Sequence, residues 1–199
     1  MIEGVDRTGK TTQISKLKSH LESCGRRVHI QRFPERNTVF GKQISSFLTN
    51  QVQFKDEMIH LLFSVNRWEL EPEIIKLLES GTDVLLDRYS YSGTAYSRAK
   101  GLDLGWCQSP DKGLPKPDLV IYMSPKSIEE LASREEFGNE RYEKVEFQKK
   151  VLQVYEDELF DESWVRINAS QNVEDVSKDI ALAFDKFAKE FKGEAIGKL

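Results

Sequence analysis

Short apolar runs alternate along this chain with longer amphipathic stretches, and the two periods predict different elements. Strands are expected at 1–3, 28–33, 83–87, 118–123 and 165–168. The third and fourth, carrying Val84-Leu85-Leu86 and Leu119-Val120-Ile121-Tyr122, are apolar on both faces, as strands inside a parallel sheet must be. Between them, helices are expected at 10–23, 41–48, 56–80, 91–100, 143–160 and 173–191, each with apolar residues at i, i+3, i+4 spacing, as in Ile14, Leu17 and Leu21. This alternation predicts an α/β fold, a doubly wound five-stranded parallel sheet flanked by helices. Gly25, Gly81 and Gly101 follow helical runs where a C-terminal glycine cap belongs. Residues 110–117 form a turn-rich connector, and the charged stretch 133–141 lies between two helices, within a lid expected over 133–147. From 193 to 199 the chain is small and polar, and a mobile tail is expected there.

Composition narrows the class. The 199 residues suit one compact domain, 1–199, with a core large enough to need no disulfide or metal staple. Apolar content of 39% beside 31% charged residues is that of a water-soluble globular protein. No apolar run approaches the length of a membrane helix, and the first residues carry neither a signal-peptide nor a transit-peptide pattern. Cys24 and Cys107 are too isolated for a disulfide framework, and His20, His29 and His60 lack metal spacing. A formal net charge of −4 argues against a broad nucleic-acid-binding face, so any bound polyanion must be small and locally held.

The strongest chemical signal is Gly4-Val5-Asp6-Arg7-Thr8-Gly9-Lys10-Thr11, followed by Thr12, which satisfies the phosphate-loop pattern in full between a predicted strand and a predicted helix. Glycines let successive backbone N–H groups turn inward onto phosphate oxygens, and the helix N-terminus adds positive potential. Lys10 would bridge the β- and γ-phosphates of ATP, and the Thr11 hydroxyl would ligate Mg²⁺. Val84-Leu85-Leu86-Asp87-Arg88 is a second landmark, an apolar strand ending in a carboxylate that can hold the same Mg²⁺ through water. An Asn-Lys-x-Asp guanine-reading sequence does not occur. A non-catalytic nucleotide-binding regulator would keep the loop yet need no arginines for a second phosphate group, whereas phosphoryl transfer between nucleotides needs them.

Several further segments carry a family resemblance. The loop with its internal Asp6-Arg7, Phe33-Pro34-Glu35-Arg36, the helix from Leu62 to Glu69, the run from Asp87 to Tyr96, and Glu140-Arg141-Tyr142-Glu143 with Phe147-Gln148 together resemble the thymidylate kinases of the eukaryotic type, in order, from Met1 to about residue 170. The resemblance implies a P-loop nucleoside-monophosphate kinase fold and ATP-dependent phosphorylation of dTMP to dTDP on the way to dTTP. Phe63, Asn66 and Arg67 share one helix face by spacing. By resemblance Phe63 stacks on thymine, Arg67 donates to its O4 and Gln148 sits near N3. Arg36 and Arg88 would grip the dTMP phosphate, Phe33 would line the site, and Tyr96 would close on the sugar. Asp6 would accept from the 3′-hydroxyl, and Tyr142 would touch dTMP. Arg7, inside the loop, is preferred to Arg134 or Arg141 as the transition-state cation, with Lys10 and Arg88 completing the catalytic set. Ser170-Gln171 would border adenine. The resemblance also implies a homodimer in the cytoplasm, with the nucleus left open as a second compartment. A kinase for another pyrimidine nucleotide is the nearest alternative. Members of that family carry several more residues ahead of the position of Met1, so the first strand is expected to be short.

Overall fold

A computed structural model of the chain describes residues 1–132, 138, 140–193 and 195–199. In chain order the elements are β1 (Ile2–Glu3), α1 (Lys10–Ser23), β2 (Val28–Arg32), α2 (Val39–Leu48), α3 (Asp56–Glu79), β3 (Asp83–Asp87), α4 (Ser90–Arg98) and α5 (Leu104–Gln108). A 3₁₀ turn at Ser109–Asp111, β4 (Ile121–Ser124), α6 (Ile128–Ala132), α7 (Val145–Val154), a π turn at Tyr155–Leu159, β5 (Val165–Asn168) and α8 (Val173–Glu190) complete the chain.

The five strands are all parallel, in the order β2-β3-β1-β4-β5. β1 is only two residues long, yet it lies in the centre, where Ile2 pairs with Asp87 of β3 on one side and Ile121 of β4 on the other. Side chains alternate across the sheet with the period of two that strands impose. Ile121 and Met123 face a core layer made with Ile14, Leu17 and Leu21 of α1 and Val176, Ile180 and Phe184 of α8. Val120 and Tyr122 face the opposite layer, with Ile44, Ile59, Ala95, Val151 and Tyr155. Both faces are therefore covered, as the double-sided apolar runs require.

All five strands run their carboxyl ends toward one edge, and the chain leaves β1 there into the phosphate loop. In such sheets the ligand crevice opens at that edge, where connections diverge to opposite faces. Gly4 must be glycine: its φ is 140°, and a Cβ would stand 2.6 Å from the Met123 carbonyl oxygen. The helices differ in how they start. Thr38 caps α2 through Gly41 N–H, and Asn172 caps α8 through Asp175 N–H. At α1 the capping position is Gly9, with φ 90° and no side-chain cap, so its first N–H groups remain available to an anion.

Several sequence expectations are corrected. The fourth strand begins at Ile121 rather than 118, and the helix expected over 143–160 starts at Val145 and widens into the π turn. The short α5 and α6 lie in stretches too brief to show a helical period. The chain end expected to be a mobile tail is instead tied down. Lys198 bridges Pro115, Leu199 N–H donates to Leu114 O at 2.9 Å, Lys116 N–H donates to Gly197 O at 2.8 Å, and Leu199 packs beside Phe33 and Leu114. Among the described residues, no helix is long and apolar enough to cross a membrane.

Candidate active site

A single cavity of about 1080 Å³ runs along the carboxyl edge of the sheet. One end is the phosphate loop. Lys10 is buried, and its ammonium donates to Val5 O at 2.5 Å and to Thr8 Oγ1 at 3.2 Å. Burial first, and then the neighbouring Arg88 charge, push its pKa down to about 7. Thr11 Oγ1 donates to Asp87 Oδ2 at 2.7 Å, joining the helix start to the tip of β3. A hydroxyl and a buried carboxylate side by side suit Mg²⁺, which takes one or two protein oxygens and fills its octahedron with phosphates and water. Beyond the loop the cavity continues past Gln13, Ala169, Gln171, Asn172, Val173 and Val176. Gln171 is thus beside the cavity as expected, whereas the Ser170 hydroxyl turns away and donates to Glu130 at 2.6 Å.

The other end is lined by Phe33, Arg36, Phe63, Arg67, Arg88, Tyr96 and Tyr142. Arg88 has φ 66°, a left-handed conformation that folds its side chain back over β1. It donates to Gly4 O at 2.8 Å and Ser92 Oγ at 3.1 Å, pairs with Asp6, and lies over the Tyr96 ring. Phe33 packs against Tyr89, with ring centroids 5.4 Å apart. Tyr96, Tyr142 and Phe147 form one aromatic cluster, and burial raises the phenol pKa of both tyrosines. Arg36 pairs with Glu140 at 2.6 Å. Arg7, with φ 62°, pairs through two nitrogens with Glu143 Oε1 at 2.8 Å. Arg36 and Arg7, two of the three arginines expected to meet phosphates, therefore rest against carboxylates of the 140–143 stretch.

Gln148, expected near the base, lies off the cavity, as do Asn66 and Arg141. Gln148 is buried, accepting from Asp6 N–H at 2.9 Å and donating to Asp6 Oδ2 at 2.7 Å and Tyr142 O at 2.9 Å. It holds the loop rather than facing a base. Asn66 is also withdrawn: its amide accepts from Glu35 N–H at 2.8 Å and donates to Glu35 O and Thr38 Oγ1, pinning the Arg36 loop to α3. Arg141, weighed against Arg7 as transition-state cation, instead clasps the α2–α3 connection through Phe47 O, Val52 O and Gln53. Arg134, with the rest of 133–137 and residue 139 of the expected lid and residue 194 of the tail, lies outside the described residues. Sequence reasoning missed Glu140, Glu143 and the buried Asp111, which holds Arg67; the surrounding charge runs gave no sign of which carboxylates turn inward.

A parallel sheet with the phosphate loop after its central strand, and cationic side chains converging from neighbouring strand ends on one continuous cavity, defines a P-loop kinase of the nucleoside-monophosphate class. The family model described as thymidylate kinase matches residues 2–180. The thymidylate kinase of Dictyostelium discoideum is 46% identical over 200 residues, covering 100% of this chain and 90% of its own length. The human thymidylate kinase is 40% identical over 202 residues, covering 100% and 95%. The solved thymidylate kinase of Candida albicans superimposes with a TM-score of 0.88 at 35% identity, covering 100% of this chain and 96% of that one. The chain belongs to the thymidylate kinase family.

Proposed function

We propose that the protein transfers the γ-phosphoryl group of ATP to dTMP, giving ADP and dTDP. The observation that carries this reading is that Lys10, Arg36, Phe63 and Arg88 all line one cavity. Its lining passes from the phosphate loop to the acceptor arginines, which suits two nucleotides meeting phosphate to phosphate. ATP lies with its triphosphate on the loop and its base toward Gln171 and Val173. The dTMP base lies between Phe63 and Arg67, and its phosphate lies between Arg36 and Arg88. A dTMP phosphate oxygen attacks the γ-phosphorus in line, and the bond from that phosphorus to the β–γ bridging oxygen breaks as ADP leaves. No protein nucleophile is needed, because the acceptor is already an anion; the protein positions both groups and neutralises spreading charge. Arg7 and Lys10 act on the transferring group and Arg88 on the acceptor. Thr11 and, through water, Asp87 would hold Mg²⁺, which would supply positive charge against the triphosphate. Asp6 accepts from the sugar, Tyr96 closes on it, and Tyr142 walls the acceptor pocket.

Arrival of phosphates draws Arg36 and Arg7 away from Glu140 and Glu143. A homodimer fits the surface of α3. Met58, Leu61 and Trp68 are exposed at 49%, 44% and 38%, on one face with Leu62 and Val65, and Val39 and Phe40 of α2 are exposed as well. The cytoplasm is the expected setting, since both substrates are there.

Assay with ATP-Mg²⁺ against dTMP, dUMP, dCMP, UMP and thymidine tests the reading. Turnover is expected to be fastest with dTMP and absent with thymidine. Preference for UMP or dCMP would replace it with another pyrimidine nucleotide kinase, and binding without turnover would make the protein a regulator.

A further inference from the structure

Arg67 is almost wholly buried, and its guanidinium is not free to choose a direction. Its Nε donates to Asp111 Oδ1 at 3.1 Å, and its Nη2 donates to Oδ1 at 3.0 Å and Oδ2 at 2.7 Å. Asp111 is itself 3% exposed and also accepts from Ser64 Oγ at 2.7 Å. The turn that carries it is fastened to α3 by Ser64 Oγ and Trp68 Nε1, which donate to Pro110 O at 3.1 and 2.8 Å. From the opposite side α4 closes in. A Cβ on Gly93 would stand 2.7 Å from Nη2 and 3.0 Å from Nη1 of Arg67. The guanidinium is thus wedged between a carboxylate on one edge and a bare helical backbone on its flank. Nη1 makes no hydrogen bond among the described residues, in a side chain that lines the cavity.

We propose that Asp111, with the gap left by Gly93, is the positioning device that sets pyrimidine specificity through Arg67. This rests on the reading that the acceptor is dTMP. A guanidinium has donors and no acceptor, so Nη1, without a hydrogen-bond partner among the described residues, favours a ring carbonyl and opposes the amino group that cytosine carries at the same place. That discrimination needs the guanidinium held at one angle. A bidentate carboxylate supplies the angle and also neutralises a charge that burial would otherwise penalise. Asp111 touches no substrate; it acts through Arg67.

The Asp111→Asn variant keeps the shape and removes the charge. It is expected to raise the KM for dTMP about tenfold and to reduce the preference for dTMP over dCMP by a similar factor, with the KM for ATP unchanged. Gly93→Ala, which crowds the same guanidinium from the other side, is expected to show the same signature. In an Arg67→Met background, Asp111→Asn should add less than about twofold, because its route to the substrate has been removed. Full multiplication of the two effects would make Asp111 a purely structural residue and overturn the proposal, as would wild-type KM and selectivity in both single variants. If Asp111→Asn loses its thermal unfolding transition, Gly93→Ala with and without Arg67→Met decides the matter by the same criteria. Absence of dTMP turnover in the wild type would instead remove the reading on which the proposal rests.

Discussion

The two ends of the cavity are built by different means. At the phosphate loop, eight consecutive residues supply the glycines, the lysine and the hydroxyl, and the uncapped start of α1 adds backbone N–H groups. At the acceptor end, the side chains come from the loop after β2, from α3, from the tip of β3 and from α4. The arginines among them are set by further buried polar groups: Asn66 fixes the Arg36 loop and Asp111 fixes Arg67. Glu3, fully buried, accepts from Tyr89 N–H at 2.9 Å, Ser92 N–H at 3.1 Å and Tyr155 Oη at 2.8 Å, fixing the turn beneath Arg88. A cradle of backbone groups is local and tolerant of its surroundings. A pocket of side chains is only as accurate as the buried network behind it, where one unpaired group costs more than a good pair contributes.

Substitutions at the two ends should therefore fail differently. Lys10→Ala is expected to lower kcat by about 10³-fold, since the charge it removes faces the transferring group in a water-poor site. Arg7→Ala should lower kcat by about 10²-fold with little change in the KM for dTMP, as befits a contact strongest in the transition state. Steady-state rates distinguish these from binding defects, and an unchanged kcat for Arg7→Ala would move the transition-state cation into the 133–147 segment. Asn66→Ala tests the other end. It leaves Glu35 N–H without its buried acceptor, so the KM for dTMP should rise about tenfold, the KM for ATP should stay put, and unfolding free energy should fall by about 1–3 kcal/mol. A parallel rise in both KM values would dissolve the distinction between the two ends.

The same contrast governs what could be read before any coordinates. The phosphate loop, Asp87 at a strand tip and the five-stranded parallel sheet were all legible, because each is written in contiguous residues whose local chemistry forces the outcome. Phe63, Arg67, Arg36 and Arg88 could be named from the family resemblance and do meet at one cavity. What lay behind them could not be read. Asp111 sits in a Pro- and Gly-rich connector with nothing to mark it as the partner of a helix residue 44 positions away. Gln148 was expected near the base and Asn66 only on the helix face of Phe63 and Arg67, and only the packed fold shows that both point inward at backbone. The docking of Leu199 was invisible for the same reason: small polar residues carry no periodic signal, while the hydrogen bonds that seat them belong to Leu114 and Lys116.

The smallest expected effect sharpens the comparison at the loop itself. Lys10, pushed down to about 7 by burial and by Arg88, is only partly charged at neutral pH. A bound triphosphate stabilises the ammonium and raises that pKa, so ATP binding must draw a proton onto Lys10 whenever pH exceeds the free value. The sign follows directly: affinity is complete only well below pH 7 and declines as pH rises, by about fivefold between pH 7 and 8 for one group titrating at about 7. Calorimetric titration in two buffers of different ionisation enthalpy should register proton uptake that grows over this interval. ATP titrates its own γ-phosphate in the same region, so the Lys10→Met variant serves as the reference; subtracting its pH dependence leaves the lysine's share. Among the described residues Lys10 is the one lysine lining the cavity, and it lies at the phosphate-loop end, so dTMP affinity should not share the lysine-dependent fall. If wild type and Lys10→Met lose ATP affinity with the same slope from pH 7 to 8, the ammonium is fully charged in the free protein and the loop needs no proton to receive its nucleotide.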